Sequence, residues 1–490
     1  MKLQEEALKF IELKSVCEEG NEEIINYLIP KFEEMGAKLI LQHVPHSLAD
    51  HSKRQFNLIG ILGDDLVDSR TKKGLLLTTH VDTAAPGLLT EWTKVDGKPW
   101  NARIEDGKIF GLGAAHSKLN FLCMMLAFSR FVKNELRQPI YLAATCGGES
   151  SLLGSKYLIQ SGALNPKYVV VGHPTDLSLA NSQRPQMTFQ VKISYVAIER
   201  DAQEFNAKIF ISSKSKSGYA LGLEPRTNTA LQNIFYILHQ LMHSPIPVKL
   251  FSIGAEASLN KIPDTATAGV VIPAKELEGI RDRFKSLIAQ RSDAHFDMRF
   301  GGTGDRGIRL LPDELLPSLF LIKKELEQMN QDFQGGVSVS FSSIKPDKDS
   351  LNLLVHCNFS NDFTAPEKRK EIETQIKERL MALARNYKSL SVDVRRVVSY
   401  VNFLADSQNN FARTMSAELT RAGIEAKFTN AESSSEAAFF SEKAHEVMAF
   451  GPALVKRDAY IPNENVSVDD LQAAIRFYER IIDAFCVRGI

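Results

Sequence analysis

The chain has 490 residues, 44% of them apolar and 24% charged, and its 59 Lys and Arg residues equal its 59 Asp and Glu residues in number. This length suits two or three domains, and the composition is that of an ordinary globular protein. The net charge of zero argues against a polyanion or a membrane surface as the main partner. We therefore expect no nucleic acid and no membrane among its partners.

The cysteines predict a reducing compartment. They are odd in number, scattered and without a C-x-x-C motif: Cys17, Cys123, Cys146, Cys357 and Cys486. Such thiols are typical of a cytoplasmic protein. The opening segment, MKLQEEALKF, predicts an amphipathic helix rather than a signal peptide, and no apolar run reaches transmembrane length.

Helices and strands alternate in the first 180 residues. Helical spacing covers residues 5–17, 23–35 and 117–133, and short apolar runs lie at 38–43, 57–62, 75–80, 140–145 and 168–172. Helices between buried strands predict an α/β domain with a largely parallel sheet and helices on both faces.

The pattern changes near residue 184. Two successive groups of strands and helices, at 187–272 and 275–398, predict an inserted and duplicated α+β domain, and residues 292–317 predict a long loop. The strand of the first group that begins at Glu204 alternates apolar and polar residues, as half-buried strands do. The α/β pattern then returns. We predict an α/β domain of residues 1–183 and 399–490 that carries an inserted lid of residues 184–398.

A nucleotide-binding fingerprint is incomplete. Gly111-Leu-Gly-Ala-Ala-His116 approaches G-x-G-x-x-G, but His116 stands where close helix–strand packing requires Gly or Ala. No complete βαβ unit leads into it. We therefore expect no dinucleotide cofactor.

Three histidines lie at or just after the ends of predicted strands. His80 ends one apolar run, His173 follows another, and His116 lies at a strand–turn–helix junction. Ligands of open α/β sheets bind at the carboxyl ends of strands, where Glu149 also falls. Asp82 is placed to orient the imidazole of His80. Taken singly, each histidine is an ordinary loop residue; together, three imidazoles predict a catalytic zinc.

At these residues the chain resembles the dizinc aminoacylase and carboxypeptidase family, which includes acetylornithine deacetylase, succinyl-diaminopimelate desuccinylase and carnosine-type dipeptidases. The matching segments follow in order along nearly the whole chain: His80-Val-Asp-Thr83, Trp92, Asp106–Ala115, Glu149 with Gly154, Gly172-His-Pro-Thr175, Asn260–Asp264, Gly451-Pro452 and Pro462-Asn-Glu464. The resemblance implies a zinc peptidase or deacylase fold, with a catalytic α/β domain and an inserted lid.

Four positions depart from the family pattern. His116 stands for the bridging Asp, Gly148 for the general-base Glu, His173 for an acidic ligand and Tyr460 for the last His ligand. No lid histidine lies between His173 and His239; Lys216 is near that place, but the local spacing does not assign it.

The departures have chemical consequences. An imidazole directs one nitrogen at a site, so His116 cannot bridge two ions as a carboxylate does. Tyrosine is a poor zinc ligand at neutral pH. We therefore expect the dinuclear centre not to form and at most one divalent ion, a zinc, at His80, His116 and His173, with Asp82 and Glu149 as the catalytic residues.

Two functions remain open. One is a non-catalytic or very weakly active relative that keeps the fold to bind a small molecule, a peptide or a partner. The other is a mononuclear metal-dependent hydrolase of amides or small peptides, in which Glu149 or an acidic metal-bound water replaces the missing base. For both we expect a ligand in the cleft between the domains and a monomeric chain.

Overall fold

The computed structural model describes residues 2–45, 54–67, 71–196, 198–199, 205, 207–216, 218–220, 228–291, 294–301, 309–333, 336–360, 365–431, 433–441, 443 and 446–490. The chain forms two compact units, Met1–Arg184 with Tyr400–Ile490, and Pro185–Ser399. Within the described ranges, every helix is too short or too polar to span a lipid bilayer. Parts of two predicted elements lie outside the described residues: Glu204, and residues 292, 293 and 302–308 of the long loop.

The first unit is built on a mixed sheet of nine strands. Across the sheet they are Lys38–Val44, Gln55–Leu62, Ile140–Thr145, Leu75–His80, Tyr168–Gly172, Glu446–Phe450, Leu179–Gln183 and Phe403–Leu404, with Phe428–Ala431 also paired to Leu179–Gln183. The third to sixth strands in this order run parallel to one another. Antiparallel pairs flank them on both sides.

The predicted α/β domain is confirmed, with a mixed sheet that is parallel at its centre and in the pair of Phe428–Ala431 with Leu179–Gln183. Leu75–His80 and Ile140–Thr145 are buried at every residue, which matches the continuous apolar runs of parallel strands covered on both faces. The edge strand Lys38–Val44 keeps exposed and half-buried positions. That antiparallel pairing depends on long-range contacts that the apolar runs do not encode.

Helices cover this sheet. They are Leu3–Glu12, Glu22–Glu34, Ser117–Phe128, Leu153–Ser161, Asn410–Arg421, Ala437–Ser441, Val455–Asp458 and Val468–Ile482, the last continued by a π-helical segment, Asp483–Arg488. All twelve residues of Ser117–Phe128 are buried, because Leu3–Glu12, the sheet and Val468–Ile482 pack around it. A helix buried on all sides shows no amphipathic stripe. A small sheet joins Asn465–Ser467, Lys108–Phe110 and Arg103–Glu105.

The second unit contains two four-stranded sheets with the same strand order. One run of strand, helix, two strands, helix and strand is Ala207–Lys214, Ala230–Met242, Lys249–Gly254, Thr265–Ile272, Leu277–Ala289 and His295–Phe300. The other is Gln186–Tyr195, Leu315–Asp332, Val337–Asp347, Ser350–Phe359, Pro366–Leu383 and Leu390–Tyr400. In both sheets the strands of each run lie in the order second, third, first, fourth. Two short ladders pair Ile198–Glu199 with Arg309–Leu310 and Gly218–Tyr219 with Lys261–Ile262.

The duplication is thus nested rather than successive. The first complete run is inserted after Gln186–Tyr195, the first strand of the other run. The prediction therefore grouped two elements wrongly: Gln186–Tyr195 belongs with the later strands, and Leu277–Ala289 belongs with the earlier ones. Strand spacing along the chain cannot reveal this exchange, because it is fixed by pairing between distant segments.

Candidate active site

The candidate site lies in the first unit, at the carboxyl ends of three adjacent parallel strands. His80 ends Leu75–His80, and Glu149 and His173 follow Ile140–Thr145 and Tyr168–Gly172. His116 is the residue before the helix Ser117–Phe128. All four side chains are buried, with at most 9% of any of these residues exposed. The topology thus brings together residues that are far apart in sequence.

Asp82 holds the imidazole of His80. Nδ1 of His80 lies 3.2 Å from the backbone oxygen of Asp82 and 3.4 Å from its Oδ1. The carboxylate in turn accepts the backbone N–H groups of Gly148 and Glu149, both at 3.0 Å. Burial alone would lower the pKa of His80, but the charge and hydrogen bond of Asp82, together with the charges of Glu149 and Glu436, outweigh it and raise that pKa to about 9. Burial alone would raise the pKa of Asp82, but the charge and hydrogen bond of His80, together with the two backbone hydrogen bonds, outweigh it and lower that pKa.

His116 forms a closed set of contacts with Glu149 and Tyr460. Its Nδ1 lies 3.2 Å from Glu149 Oε1, and its Nε2 lies 3.1 Å from the Tyr460 hydroxyl. That hydroxyl donates to Glu149 Oε2 at 2.9 Å. Burial, followed by the charges of His80 and His173, holds the pKa of His116 well below its usual value. Burial thus favours the neutral form of the His116 imidazole.

Ser117 connects two of the histidines, and sequence reasoning missed it. Its Oγ lies 2.6 Å from Nε2 of His80 and 3.1 Å from Nδ1 of His116. The only available signal was its place beside His116, at the first position of the helix.

His173 contacts a different residue. Its Nε2 lies 2.8 Å from the hydroxyl of Ser433, a residue 260 positions away that sequence reasoning also missed. Burial, and then the charge of His80, lowers the pKa of His173 to about 3. Among the described residues, the donor atoms that lie within 4.8 Å of one another belong to His80, His116 and Glu149. This cluster contains Glu149 where the sequence predicted His173.

Two imidazoles and one carboxylate are a donor set that suits a single zinc ion. His80, His116 and Glu149 would hold it, with Asp82 orienting His80 from behind. A bound zinc would supply an acidified water molecule. His116 directs one nitrogen atom at the cluster and has no carboxylate that could bridge two ions.

Because Gly148 has no side chain, the imidazole of His80 occupies the space next to it. A Cβ atom on residue 148 would lie 2.0 Å from His80 Cγ and 2.3 Å from its Nδ1. The ring thus lies where a side chain of residue 148 would begin. No carboxylate at this position can act on a water molecule unless the ring first moves.

Two further buried carboxyl groups support the site. Glu464 accepts the backbone N–H groups of Gly113 at 3.1 Å and Ala115 at 2.9 Å, which fixes the turn before His116. Glu436 accepts hydroxyl hydrogen bonds from Thr145 and Ser155, and burial raises its pKa. Glu464 belongs to a matched family segment, whereas Glu436 had no sequence signal. Lys216 and Asn260 of the predicted lid lie in the second unit.

The family model described as Peptidase family M20/M25/M40 matches residues 76–484. The chain belongs to this family. The predicted resemblance is thereby confirmed.

Individual relatives and solved structures are consistent with this family. An acetylornithine deacetylase from Yersinia pseudotuberculosis is 28% identical over 180 residues, which are 37% of this chain and 44% of that protein. The chain thus matches less than half the length of this relative. Human carnosine dipeptidase 1 has the same fold, with a TM-score of 0.61 at 12% identity over 98% of this chain and 95% of that one. The M20 family metallo-carboxypeptidase Sso-CP2 from Sulfolobus solfataricus gives 0.55 at 14% identity over 98% of both chains.

Proposed function

We propose that this protein binds a small N-acylated amino acid or peptide at the His80–His116–Glu149 cluster without performing two-metal hydrolysis. The observation that carries the proposal is the bonding of Tyr460. Its hydroxyl engages both Glu149 Oε2 and His116 Nε2, two groups that a second ion would need. The glycine at position 148 adds support, because general-base assistance is typically worth about 10²–10⁴ in rate.

The ligand class follows from the relatives, whose names refer to acetylornithine and carnosine. The test combines turnover and binding. Purified protein is supplied with zinc and assayed for hydrolysis of N-acetylornithine and carnosine, and the same compounds are tested for a shift in melting temperature. We expect a shift without turnover. Turnover near 1 per second or faster would overturn the loss of hydrolysis, and the absence of any shift would overturn ligand binding.

A second candidate is a mononuclear metal-dependent hydrolase. The convergence of His80, His116 and Glu149 within 4.8 Å favours it. Elemental analysis of protein prepared without chelators separates the two. One zinc per chain together with zinc-dependent turnover supports this candidate, whereas folded, metal-free and inert protein supports the first.

A further inference from the structure

Ser117, His80 and Asp82 lie in the order of a nucleophile, a base and an orienting carboxylate. Ser117 Oγ is 2.6 Å from His80 Nε2, and His80 Nδ1 is 3.4 Å from Asp82 Oδ1. We propose that these residues transfer a small acyl group from a carboxylic ester to Ser117 without a metal ion. Such an arrangement is recognised by its geometry and not by its order in sequence. The inference goes beyond the proposed function, since it concerns covalent chemistry that needs no metal.

The proposed base, the imidazole of His80, is positioned by Asp82 and by the space at Gly148. Asp82 is fixed by the backbone N–H groups of Gly148 and Glu149, so its carboxylate stays beside Nδ1 of His80. Gly148 leaves room for the ring, because any Cβ there would overlap it. With Nδ1 facing Asp82, Nε2 is the nitrogen that faces the hydroxyl of Ser117. This is the orientation that a general base requires.

The second serine–histidine pair, Ser433 and His173, lacks an orienting carboxylate among the described residues. Ser433 Oγ lies 2.8 Å from His173 Nε2. Among the described residues, however, no carboxylate oxygen lies within 4.0 Å of the nitrogens of His173. The geometry therefore selects Ser117 and not Ser433.

The helix adds a site for developing negative charge. Ser117 is the first residue of a twelve-residue helix whose N-terminus has no side-chain cap. Backbone N–H groups at such an end stabilise an oxyanion next to the nucleophile. Ser117 itself has no exposed surface, and its neighbours His116 and Tyr460 are each only 9% exposed. We therefore expect the smallest acyl groups, such as acetyl, to react.

The step is an ordinary acyl transfer. Ser117 Oγ attacks the ester carbonyl carbon while its proton passes to His80 Nε2. The bond between the carbonyl carbon and the leaving oxygen breaks, and His80 gives the proton to that oxygen. Water then attacks the acyl-serine with His80 as base, which releases the carboxylic acid and restores Ser117.

The test uses the full chain, treated with a chelator, and p-nitrophenyl acetate. Reactions run at several values between about pH 7 and 10, so that the result does not depend on one assay condition. Release of nitrophenol and the mass gain of one acetyl group are followed, and the acetylated peptide is sequenced by mass spectrometry. We expect acetyl on Ser117 of the parent chain, and a loss of about 10²-fold or more in the rate of nitrophenol release in Ser117→Ala.

The matched control is Ser129→Ala, at the opposite end of the same helix, which should react like the parent chain. Peptide mapping of the parent chain decides the question even where a variant fails to fold. Acetyl found on Ser433 or elsewhere, with none on Ser117, would overturn the proposal. An unreacted folded chain throughout this pH range would do the same.

Discussion

The imidazole of His80 lies against Gly148 so closely that a Cβ atom on residue 148 would come within 2.0 Å of the ring. Gly148 has no left-handed backbone that would itself require glycine. The ring of His80 is therefore what excludes a side chain there. The resemblance to the family implies a general base at this position, and the space that its side chain would need is filled by the ring of His80.

Replacing Gly148 by Glu should not produce turnover of dipeptides or N-acyl amino acids. The new side chain must displace His80 and so disrupts its contacts with Asp82 and Ser117. We also expect a loss of about 1–3 kcal/mol in the free energy of unfolding, as in other overpacked interiors. Steady-state assays and urea denaturation measure the two effects.

Gly279→Ala is the control for this change. Its Cβ would meet only Ile246 Cδ1 at 3.7 Å, in a helix where alanine is favoured over glycine. Its stability should stay the same or rise. Family-like turnover in Gly148→Glu would show that His80 moves aside easily and that our explanation of the glycine is wrong.

The choice between Glu149 and His173 as the third metal ligand is open to a direct test. The donor atoms of Glu149 gather with those of His80 and His116, whereas His173 faces Ser433. We expect Glu149→Gln to weaken zinc binding more than His173→Gln does, as measured by competition with a coloured chelator. Affinity should fall as the pH drops and the imidazoles become protonated. The reverse order of the two variants would restore the three-histidine site predicted from sequence.

The sequence predicted strand positions better than it predicted contacts between side chains. Leu75–His80, Ile140–Thr145 and Tyr168–Gly172 have the predicted bounds, because buried parallel strands form short continuous apolar runs. Their parallel order placed His80 and Glu149 at one edge. The contacts of Ser117 and Ser433 were missed, since side-chain orientation depends on packing between distant segments. The nested sheets of the second unit were missed for the same reason.

The composition of one exposed sheet edge supports the predicted monomer. The edge strand His295–Phe300 exposes His295, Asp297 and Arg299, and charged side chains on an edge discourage the addition of another strand. Light scattering at micromolar concentration should give a mass near 54.6 kDa. A mass twice that value would contradict the prediction.

Glu418 is a buried carboxylate surrounded by arginines. Only 1% of its side chain is exposed, and it accepts from Arg421 and Arg488, with Arg480 3.8 Å away. Glu418→Gln keeps the shape but removes the charge that these three cations share. Because the arginines are 41–57% exposed and can be solvated, we expect a loss of about 1–3 kcal/mol in the free energy of unfolding by urea. Glu425→Gln, an exposed partner of Lys427, should change it by less than about 0.5 kcal/mol.

His356 makes the stability of the second unit depend on pH. The imidazole is fully buried in the sheet that contains Ser350–Phe359, with Thr188 Oγ1 3.1 Å from Nδ1 and Ser342 Oγ 2.7 Å from Nε2. Burial lowers its pKa from 6.5 to about 4. Between pH 6.5 and about pH 4, His356 binds a proton in the unfolded chain but not in the folded chain. The stability due to neutral His356 is therefore complete above pH 6.5 and is lost as the pH falls to about 4.

His356→Gln should remove this dependence, because glutamine keeps hydrogen-bonding groups but does not titrate. From the lowered pKa we expect the parent chain to lose on the order of 3 kcal/mol more than the variant as the pH falls through that interval. Urea denaturation at a series of pH values, followed by a probe in the second unit, measures the difference. His295→Gln, the same substitution at an exposed histidine of the second unit, is the matched control. Parallel curves for the parent chain and His356→Gln would mean that the buried imidazole does not couple folding to protonation.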